Sequence, residues 1–463
     1  MQTNAAKRHL HFVTGKLAES SVRRVVADVA SQVGFDYSID VLPITVAALM
    51  TPEWIAKHVC VPDAATEIIL PGYCAGDLQP LQHVTSLPIQ IGPKDCFALP
   101  EFFGQQRDLS DYGSYSIHII AEINHAPRLS VAQICRQAAA LAQDGADVID
   151  IGCQPGERWQ QVGDAVKAVK DLGLRVSIDS FDVREIADAV VAGAELVLSV
   201  NHTNRHAAPD WDAEVVVIPD DIRSLNGLED SVDFLQQHHV PFRIDPILEP
   251  IGCGLAASLV RYADVRRRFP DAEMMMGIGN LTELTDCDSA GINTLLLGIC
   301  QELSIHSVLT TQVINWARSS VRECDYARRL VHYAVQHGTV PKRLSSELIM
   351  LRDAVLHSKT SHELSELAGQ LKDHNYRLFA EDTALHVLAA QTHLTDTDPF
   401  VLFDKLLQSN PKNVDASHAF YLGYELAKAK IALTLGKQYR QDEALDWGFL
   451  TEPEVCHRHR RGS

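Results

Sequence analysis

Two kinds of apolar pattern alternate through the middle of the chain, from about Ser116 to Gln336. Short runs of Val, Ile and Leu predict β-strands, and the longer stretches between them repeat apolar residues at the spacing of an amphipathic helix. The predicted strands cover residues 117–123, 147–151, 175–178, 196–200, 214–218, 242–244, 274–277 and 307–309. The predicted helices cover residues 130–143, 158–171, 182–192, 228–238, 254–269, 291–303 and 320–337. Because nearly every one of the eight strands is followed by a helix, the pattern favours a closed (β/α)8 TIM barrel, over residues 113–338, rather than an open doubly wound sheet.

The first part of the chain shows a shorter version of the same alternation. Strands are predicted at residues 10–14, 36–42 and 67–70, and helices at 17–33 and 51–59. The stretch from Gly92 to Ser114 contains several Pro, Gly and Asp residues, which is typical of a linker. We therefore expect a small α/β domain of the flavodoxin or Rossmann type, with its linker, over residues 1–112. Gly15-Lys16 follows the first strand, but the full glycine spacing of a phosphate-binding loop is missing.

The last part of the chain predicts a small α+β domain over residues 339–463. Helices are expected at 344–357, 362–374, 398–408 and 417–437, with one or two strands within 376–391. The helix over 419–435 is rich in Ala and Leu, so we expect it to pack on the barrel or on a partner subunit. A homodimer is the expected assembly.

The charge balance limits the kinds of partner. The 463 residues include 41 Lys and Arg against 60 Asp and Glu, which gives a net charge of −19. A field of that sign repels nucleic acid and anionic membrane surfaces, and it makes any anionic substrate dependent on a local basic pocket. No apolar run approaches the roughly 20 residues that span a bilayer. We therefore expect a soluble, cytoplasmic protein with no nucleic-acid or membrane partner.

Polar residues stand where the predicted barrel strands end. In a TIM barrel, the carboxyl ends of the strands form the mouth that carries the site. The residues at these ends are Asn124, Asp150, Asp179, Asn201, Asp220, Asp245 and Asn280, with residues 310–318 after the eighth strand. Any one of them alone could instead cap the helix that follows. A whole ring of them at one mouth favours a shared binding site.

Four short motifs occupy the first half of the barrel. They are Ile120-Ala-Glu-Ile-Asn124, Asp144-Gly-Ala-Asp-Val-Ile-Asp-Ile-Gly152 with Gln154-Pro-Gly-Glu157, Arg175-Val-Ser-Ile-Asp-Ser180 with Ala192-Gly-Ala194, and Leu196-Val-Leu-Ser-Val-Asn201. Their order and spacing resemble the first four strands of the pterin-binding superfamily, which includes dihydropteroate synthases and methyltetrahydrofolate:corrinoid methyltransferases. The three-part layout is similar to the dihydropteroate synthase-related proteins of organisms that use tetrahydromethanopterin. The segments near its end that carry this similarity are Tyr421-Leu-Gly-Tyr-Glu-Leu-Ala-Lys-Ala429 and Leu435-Gly-Lys-Gln-Tyr-Arg-Gln-Asp442.

The resemblance implies a pterin site at the barrel mouth. A pterin presents an amino group and ring N–H donors on one edge, and a carboxylate can accept several such hydrogen bonds in one plane. Asp179 and Asp245 match the expected acceptors, and the amide of Asn201 can read the adjoining ring edge. Asp150 and Asn280 are the other expected pterin contacts.

The resemblance also implies a cradle for the diphosphate of an activated pterin, near the first and eighth strands. Asn124 matches the asparagine that helps to hold Mg²⁺ in the family, and Arg318 is the cation near the eighth strand. Both are therefore the expected catalytic residues. Arginine can contact phosphate through two N–H groups, and Mg²⁺ bridges phosphate oxygens. Arg322 lies four residues later and could share a helix face with Arg318.

The sequence departs from the synthase pattern at three places. Asn280 stands where a synthase has a lysine, no Arg-x-His pair follows the eighth strand, and the second loop is shortened to Cys153-Gln-Pro-Gly156. The expected activity is therefore a transfer of the dihydropteroate synthase type to an altered amine. It would join 6-hydroxymethyl-7,8-dihydropterin diphosphate to an arylamine such as 4-(β-D-ribofuranosyl)aminobenzene 5′-phosphate, in tetrahydromethanopterin biosynthesis.

Two other functions stay open at this point. Gly277-Ile-Gly-Asn280 is closer to the Gly-x-Ser-Asn of the methyltransferases, which would imply methyl transfer from a methylated tetrahydropterin to a corrinoid on a separate subunit. The chain could also be a pterin carrier or assembly protein without catalytic activity, with the flanking domains as docking surfaces.

Overall fold

The computed structural model describes residues 8–454 except 75, 106–108, 157, 357–358, 382, 391 and 412. The chain forms two compact units, of which the first ends at Asp111 and the second begins at Tyr112. The first unit contains a four-stranded sheet, and the second contains a closed eight-stranded barrel and a three-stranded sheet. Within the described part of the chain, no helix is both long and apolar enough to cross a membrane.

The first unit is a parallel sheet with strand order β2-β1-β3-β4. Its strands are β1 (His9–Gly15), β2 (Asp36–Leu42), β3 (Glu67–Leu70) and β4 (Ile89–Ile91), and its helices are α1 (Glu19–Val33), α2 (Pro52–Ala56), α3 (Gln79–Gln82) and α4 (Leu99–Phe102). The short β4 was not predicted, and the stretch predicted as a linker contains α4. Leu99 is buried in the same core as α1, with Phe102 and Phe103 packed against it. The apolar residues of this Pro- and Gly-rich segment therefore hold it on the sheet.

The predicted barrel is confirmed. Its eight parallel strands are β5 (His118–Ile123), β6 (Val148–Gly152), β7 (Val176–Asp179), β8 (Leu196–Val200), β9 (Glu214–Val217), β10 (Phe242–Ile244), β11 (Glu273–Gly277) and β12 (Ser307–Thr310). Pairing of β12 with β5 closes the barrel. The surrounding helices are α5 (Val131–Gln143), α6 (Val162–Lys170), α7 (Val183–Val191), α8 (Leu228–Gln237), α9 (Leu255–Arg268), α10 (Gly279–Glu283), α11 (Ser289–Glu302) and α12 (Ser320–Gln336). A 3-10 helix, Arg205–Asp210, takes the place of an α-helix after β8.

The inside of the barrel is apolar at its lower levels and acidic above them. Ile120, Val148 and Leu196 belong to one buried cluster of strand residues. Side chains two residues apart on a strand point to the same face, so Glu122 and Asp150 lie on the same strand faces as Ile120 and Val148. The strand pattern therefore places carboxyl groups directly above the apolar interior.

The C-terminal part of the second unit is an antiparallel sheet with helices on both faces. Its strands are β13 (Arg377–Glu381), β14 (Ala384–Ala389) and β15 (Thr392–Asp396), and its helices are α13 (Ser361–Gln370), α14 (Pro399–Gln408) and α15 (Ala416–Leu435). Alternate residues of β14 separate the two faces, because Val387 packs in the cluster of α14 and α15 and Leu388 in the cluster of α13. The sequence predicted β13 and β14 but missed β15.

The helix predicted at 344–357 is wrong. The described residues 344–356 form turns and bends without a helix. Several of their polar groups bond to the segment after α15: Asp353 accepts a hydrogen bond from the backbone N–H of Gln438 and pairs with Lys437, and the carbonyl of Glu347 accepts from the N–H of Phe449. Long-range bonds of this kind leave no signal in the local pattern.

Candidate functional site

Three carboxyl groups meet where strands β5, β6 and β7 reach the barrel mouth. Glu122 of β5 is in register with Asp150 of β6, and Asp179 of β7 is in register with Gly152. A Cβ atom at Gly152 would lie 2.5 Å from Oε1 of Glu122. Gly152 is therefore the residue that leaves room for the Glu122 side chain.

Asp150 is the most deeply buried of the three acids. It has no exposed surface, its Oδ1 accepts a 2.6 Å hydrogen bond from Ser177 Oγ, and its Oδ2 has no partner. Asp150 lies inside strand β6 and does not cap a helix. Asp150 therefore lies beneath the mouth and exposes no surface to it, and its role as a pterin contact stays a prediction.

Burial raises the pKa of each acid in this group, and repulsion from neighbouring acids adds to the shift for Glu122 and Asp150. The pKa of Glu122 rises to about 7, because burial disfavours its charged form and because Asp179 and Glu283 are nearby. Burial, followed by the charges of Asp179 and Glu122, raises the pKa of Asp150 well above its usual range. Burial also raises the pKa of Asp179. Buried carboxyl groups with raised pKa values favour hydrogen-bond donors as ligands, because a donor stabilises the carboxylate form.

Asp179 is positioned by an irregularity in the next strand. The pairing of β8 with β9 shifts between Val197 and Val200, and Ser199 within this bulge has a φ of 63°. The hydroxyl of Ser199 hydrogen-bonds to Asp179, which lowers the pKa of that carboxyl against the effect of burial. Bulges beside a site commonly re-aim a side chain. The helix-cap alternative for Asp179 is wrong, because Asp182 caps α7 by accepting from the N–H groups of Arg184 and Glu185.

Asn201 lies at the end of β8, but much of its side chain is used locally. Its Oδ1 accepts hydrogen bonds from the N–H and the hydroxyl of Thr203. The buried Asn204 accepts from the N–H of Asn201 and donates to the carbonyl of Ser199. Asn204 therefore holds both the bulge and Asn201. The side-chain NH2 group of Asn201 can therefore donate hydrogen bonds to a ligand.

Asp245 follows β10 and is almost fully buried. Its Oδ1 accepts hydrogen bonds from Tyr262 Oη at 2.5 Å and from the N–H of Ile247 at 2.8 Å. Ile247 has a φ of 66°, which is strained for a β-branched residue. Burial raises the pKa of Asp245 to about 6, although these hydrogen bonds act in the opposite direction.

A cavity of about 430 Å³ opens at the second and third loops of the barrel. It is lined by Cys153, Gln154, Pro155, Gly156, Arg158, Asp179, Ser180, Phe181, Asp182 and Glu185. Asp179 is thus the predicted pterin residue that reaches this cavity, while Asn201 and Asp245 lie outside its lining. Arg158 pairs with Asp188, and Glu185 accepts from Ser180 and from the N–H of Trp159.

Asn124 stands at the end of β5 with a buried oxygen, Oδ1, that has no hydrogen-bond partner. Burial raises the pKa of Glu283, at the end of α10, and its carboxylate accepts from the hydroxyl of Thr311. Within the described residues, no group of three or more His, Cys, Asp or Glu side chains could hold a metal ion. The unpartnered amide oxygen of Asn124 fits one oxygen ligand of an Mg²⁺ ion that would take its other ligands from phosphate and water.

The three remaining predicted residues lie at the surface. Arg318 is exposed, and Asn280 is exposed on α10. Arg322 is also exposed, and its guanidinium lies 5.0 Å from the ring centre of Phe449. A phosphate contact by Arg322 would require it to leave this ring, whereas the Arg318 side chain has no such competitor among the described residues.

Sequence reasoning missed Glu122, Glu283, Ser199 and Asn204. Glu122 had a usable signal, because it is a charged residue at an inward position of an otherwise apolar strand. Ser199 had none, since its role depends on a strand bulge. Glu283 lies in a short helix whose existence the local pattern did not indicate.

The ligand-free protein should become less stable as pH rises from about 4 to 7. The pKa of Asp245 in the folded protein, about 6, exceeds its usual value of 3.8, so its contribution to stability is present below pH 4 and is lost as pH rises through 6. The difference corresponds to about 3 kcal/mol in the free energy of unfolding. Asp245→Asn should make this dependence shallower without abolishing it, because the raised pKa values of Glu122, Asp150 and Asp179 act in the same direction, as measured by urea unfolding at several pH values. Asp271→Asn, at an exposed position, is the control and should leave the change of unfolding free energy with pH as it is in the unchanged protein. The same pH dependence in Asp245→Asn would contradict a raised pKa for Asp245.

Three families match successive parts of the chain. The family described as pterin binding enzyme matches residues 123–219, from β5 to just past β9. A family of unknown function, DUF6513, matches residues 8–94, and PterinBD-DUF4346 matches residues 372–442. The chain is also 23% identical over 521 residues to an uncharacterized protein of Methanocaldococcus jannaschii, covering 93% of this chain and 98% of that protein.

Similar solved structures include several dihydropteroate synthases. The Yersinia pestis enzyme is 16% identical, with 48% of this chain and 95% of that chain covered and a TM-score of 0.39. The Xanthomonas albilineans enzyme with 4-aminobenzoic acid is 19% identical, with 48% and 93% covered and a TM-score of 0.40. The Anaplasma phagocytophilum enzyme with bound 6-hydroxymethylpterin-monophosphate is 15% identical, with 47% and 99% covered and a TM-score of 0.37.

Proposed function

We propose that this protein, whose barrel is of the dihydropteroate synthase-related, pterin-binding kind, is a transferase that binds a dihydropterin at the barrel mouth. One observation carries the proposal: Glu122, Asp150 and Asp179 meet at this mouth, and among the described residues no lysine or arginine pairs with them. Unpaired buried carboxyl groups require a donor-rich ligand or water. The edge of a pterin that carries its amino group and ring N–H is such a ligand.

The pterin would be held from two sides. Asp179 would accept from the amino group and ring N–H at the cavity, and Asp245 would accept from the adjoining edge. The amide of Asn201 would donate to a ring acceptor, and Asp150 would lie beneath the ring, where a protonated or water-linked carboxyl group could contact it. Asn280, on α10, would contact the pterin only if the ring extends across the mouth to that helix.

The proposed reaction joins 6-hydroxymethyl-7,8-dihydropterin diphosphate to an arylamine. The amine nitrogen attacks the pterin methylene carbon, a C–N bond forms, and the C–O bond to the diphosphate breaks. The amine loses one proton, and the diphosphate leaves with the bonding electron pair. The protein's part is to hold the two reactants together and to offset the charge of the leaving group.

Asn124 and Arg318 would handle the diphosphate. The buried oxygen of Asn124 would serve as one ligand of Mg²⁺, which neutralises phosphate charge when it is bound. Arg318 would approach the phosphate from the exposed side through two N–H groups. The arylamine we propose is 4-(β-D-ribofuranosyl)aminobenzene 5′-phosphate, which would place the reaction in tetrahydromethanopterin biosynthesis.

Two acids at the end of the barrel where the diphosphate would lie favour a second function, that of a pterin carrier or a methyl-transfer subunit. Glu122 lies two residues before Asn124, and Glu283 lies near enough to raise the pKa of Glu122. Two carboxyl groups repel an anionic leaving group unless a cation is bound. A pterin carrier, or a subunit that transfers a methyl group from a methylated tetrahydropterin, needs no anionic leaving group.

Incubation of the intact chain with the pterin diphosphate, Mg²⁺ and candidate amines separates these functions. The transferase releases diphosphate in proportion to a pterin–amine product. Pterin binding without release of diphosphate would support the carrier or the methyl-transfer subunit, and transfer of a methyl group to added cob(I)alamin would then distinguish those two.

Arg318→Lys should lower turnover by about tenfold or more and leave dihydropterin affinity unchanged. Lysine keeps the charge but cannot make the two parallel contacts of a guanidinium, which is a difference of about 1.5 kcal/mol. The matched control is Arg322→Lys, which should have a smaller effect because Arg322 already stacks on Phe449. Steady-state kinetics together with pterin titration would check both variants, and unchanged turnover in Arg318→Lys would remove Arg318 from the site.

A further inference from the structure

Helix α15 carries an exposed face without charge. The helix has 20 residues, and its exposed residues are Ala416, Ser417, Phe420, Gly423, Tyr424, Ala427, Ile431 and Thr434. None of them is charged, although 22% of the whole chain is charged. Surface helices of monomeric proteins normally present charged or polar residues to water. This face is therefore unusual for a surface that stays in water.

The charged residues of α15 are directed elsewhere. Glu425 and Lys428 are buried and form an ion pair of 2.9 Å, and Tyr439 donates to Glu425. Lys430 donates to the carbonyl of Thr397. The charge of the helix is thus used within the chain, and the outward face keeps two large side chains. Phe420 is 76% exposed, and Tyr424 is 49% exposed, with its hydroxyl donating to Glu454, which also pairs with Lys428.

The outward residues follow the spacing of a coiled-coil seam. Phe420, Tyr424, Ala427 and Ile431 are separated by four, three and four residues, which is the alternation of a and d positions. Ser417 and Thr434 extend the same rows by one position at each end and are polar. We call these six residues the α15 seam.

The α15 seam is symmetric about its own centre. If a second copy of the helix packs antiparallel with a two-fold axis between Glu425 and Leu426, Phe420 meets Ile431 of the other copy. Tyr424 then meets Ala427, so a large side chain lies opposite a small one, and Ser417 meets Thr434. A face that is complementary to itself in this way is what a two-fold dimer requires.

We propose that the α15 seam is the contact through which two copies of this chain form an antiparallel, two-fold dimer. The 20 residues of α15 extend about 30 Å, and a contact about 10 Å wide along it covers about 300 Å² on each protomer. Helix α14 packs beside α15 on the same face of the sheet and exposes Phe400 and Leu407. If these residues join the contact, the buried area rises from about 600 to about 1,000 Å² in total, at the lower end for a specific interface. The dimer should therefore dissociate at micromolar concentrations, and pterin binding has no part in it.

Sedimentation velocity of the intact chain from about 1 to 100 µM tests the proposal. The unchanged protein should shift from monomer to dimer within this range. Phe420→Lys and Ile431→Glu should each weaken dimerisation at least tenfold, because each places a charge in an apolar contact without a partner. Val191→Glu, at an exposed Val at the end of α7, is the matched control and should dimerise like the unchanged protein.

A mixture of the two seam variants tests the register. The lysine introduced by Phe420→Lys in one copy would lie opposite the glutamate introduced by Ile431→Glu in the other copy only in an antiparallel pair. Mixing the two variants should therefore restore a dimer that native mass spectrometry identifies as mixed, and restoration also shows that neither variant is misfolded. A monomeric unchanged protein at about 100 µM, seam variants that dimerise normally, or a mixture that stays monomeric would overturn the proposal. So would loss of the dimer in Leu295→Glu, which changes an exposed residue of the barrel helix α11.

Discussion

Replacement of Asp179 by asparagine should weaken the binding of a dihydropterin by about tenfold to more than a hundredfold. Asp179 lines the cavity and carries a raised pKa. An asparagine keeps the shape but loses one charge-assisted hydrogen bond, which contributes about 1.5–3 kcal/mol. Fluorescence titration with a dihydropterin measures the change, and Asp245→Asn and Asn201→Ala should weaken binding in the same assay.

The matched control for this prediction is Asp182→Asn. Asp182 lines the same cavity but caps α7, and asparagine is about as good an N-cap as aspartate. The control should bind the dihydropterin like the unchanged protein. Equal affinity in Asp179→Asn, Asp245→Asn and Asn201→Ala would show that the pterin, if it binds, does so elsewhere.

Turnover with p-aminobenzoate should be at least about 100-fold lower than turnover with the ribosylated amine phosphate. The protein has Asn280 where a synthase carries a lysine, and Glu122 and Glu283 add negative charge at the mouth. A carboxylate on the amine ring would face these acids, and the juxtaposition of like charges is unfavourable by several kcal/mol. The phosphate of the ribosylated amine would lie farther from the amine ring and therefore farther from these acids.

Diphosphate release measured with each amine, at equal Mg²⁺, checks the selectivity. Asn280→Lys is the informative variant, because it restores the cation of a synthase at an exposed position and should raise p-aminobenzoate turnover. A protein that prefers p-aminobenzoate from the start would exclude the ribosylated amine as the natural acceptor. Reaction with neither amine, while the pterin still binds, would favour the carrier or the methyl-transfer subunit.

The barrel could be predicted from the sequence because its strands are buried on both faces. Strand β9, Glu-Val-Val-Val, shows the short apolar run that is typical of parallel strands, and the limits of β8 and β10 were predicted as observed although each contains one polar residue. The same logic located Asp179 and Asp245, which stand at the ends of such runs. The predicted N-terminal sheet lacked β4, a short edge strand, Ile-Gln-Ile, whose last two residues are exposed.

The organisation of the site could not be predicted to the same extent. The hydrogen bond from Ser199 to Asp179 depends on a strand bulge. The electrostatic repulsion between Glu122 and Glu283 acts between residues that are 161 positions apart in the sequence. The sequence also suggested that Arg322 faces a phosphate, whereas its guanidinium stacks on Phe449. Contacts between distant segments decided each of these cases, and a local pattern does not contain them.

A crystal structure of the intact chain grown with a 7,8-dihydropterin tests most directly whether the acid-lined barrel mouth is the pterin site. We expect the ring at the mouth, with its amino and ring N–H groups about 3 Å from the carboxylate oxygens of Asp179 or Asp245. A pterin bound away from these two residues, or a mouth that holds only water at a saturating ligand concentration, would contradict this expectation.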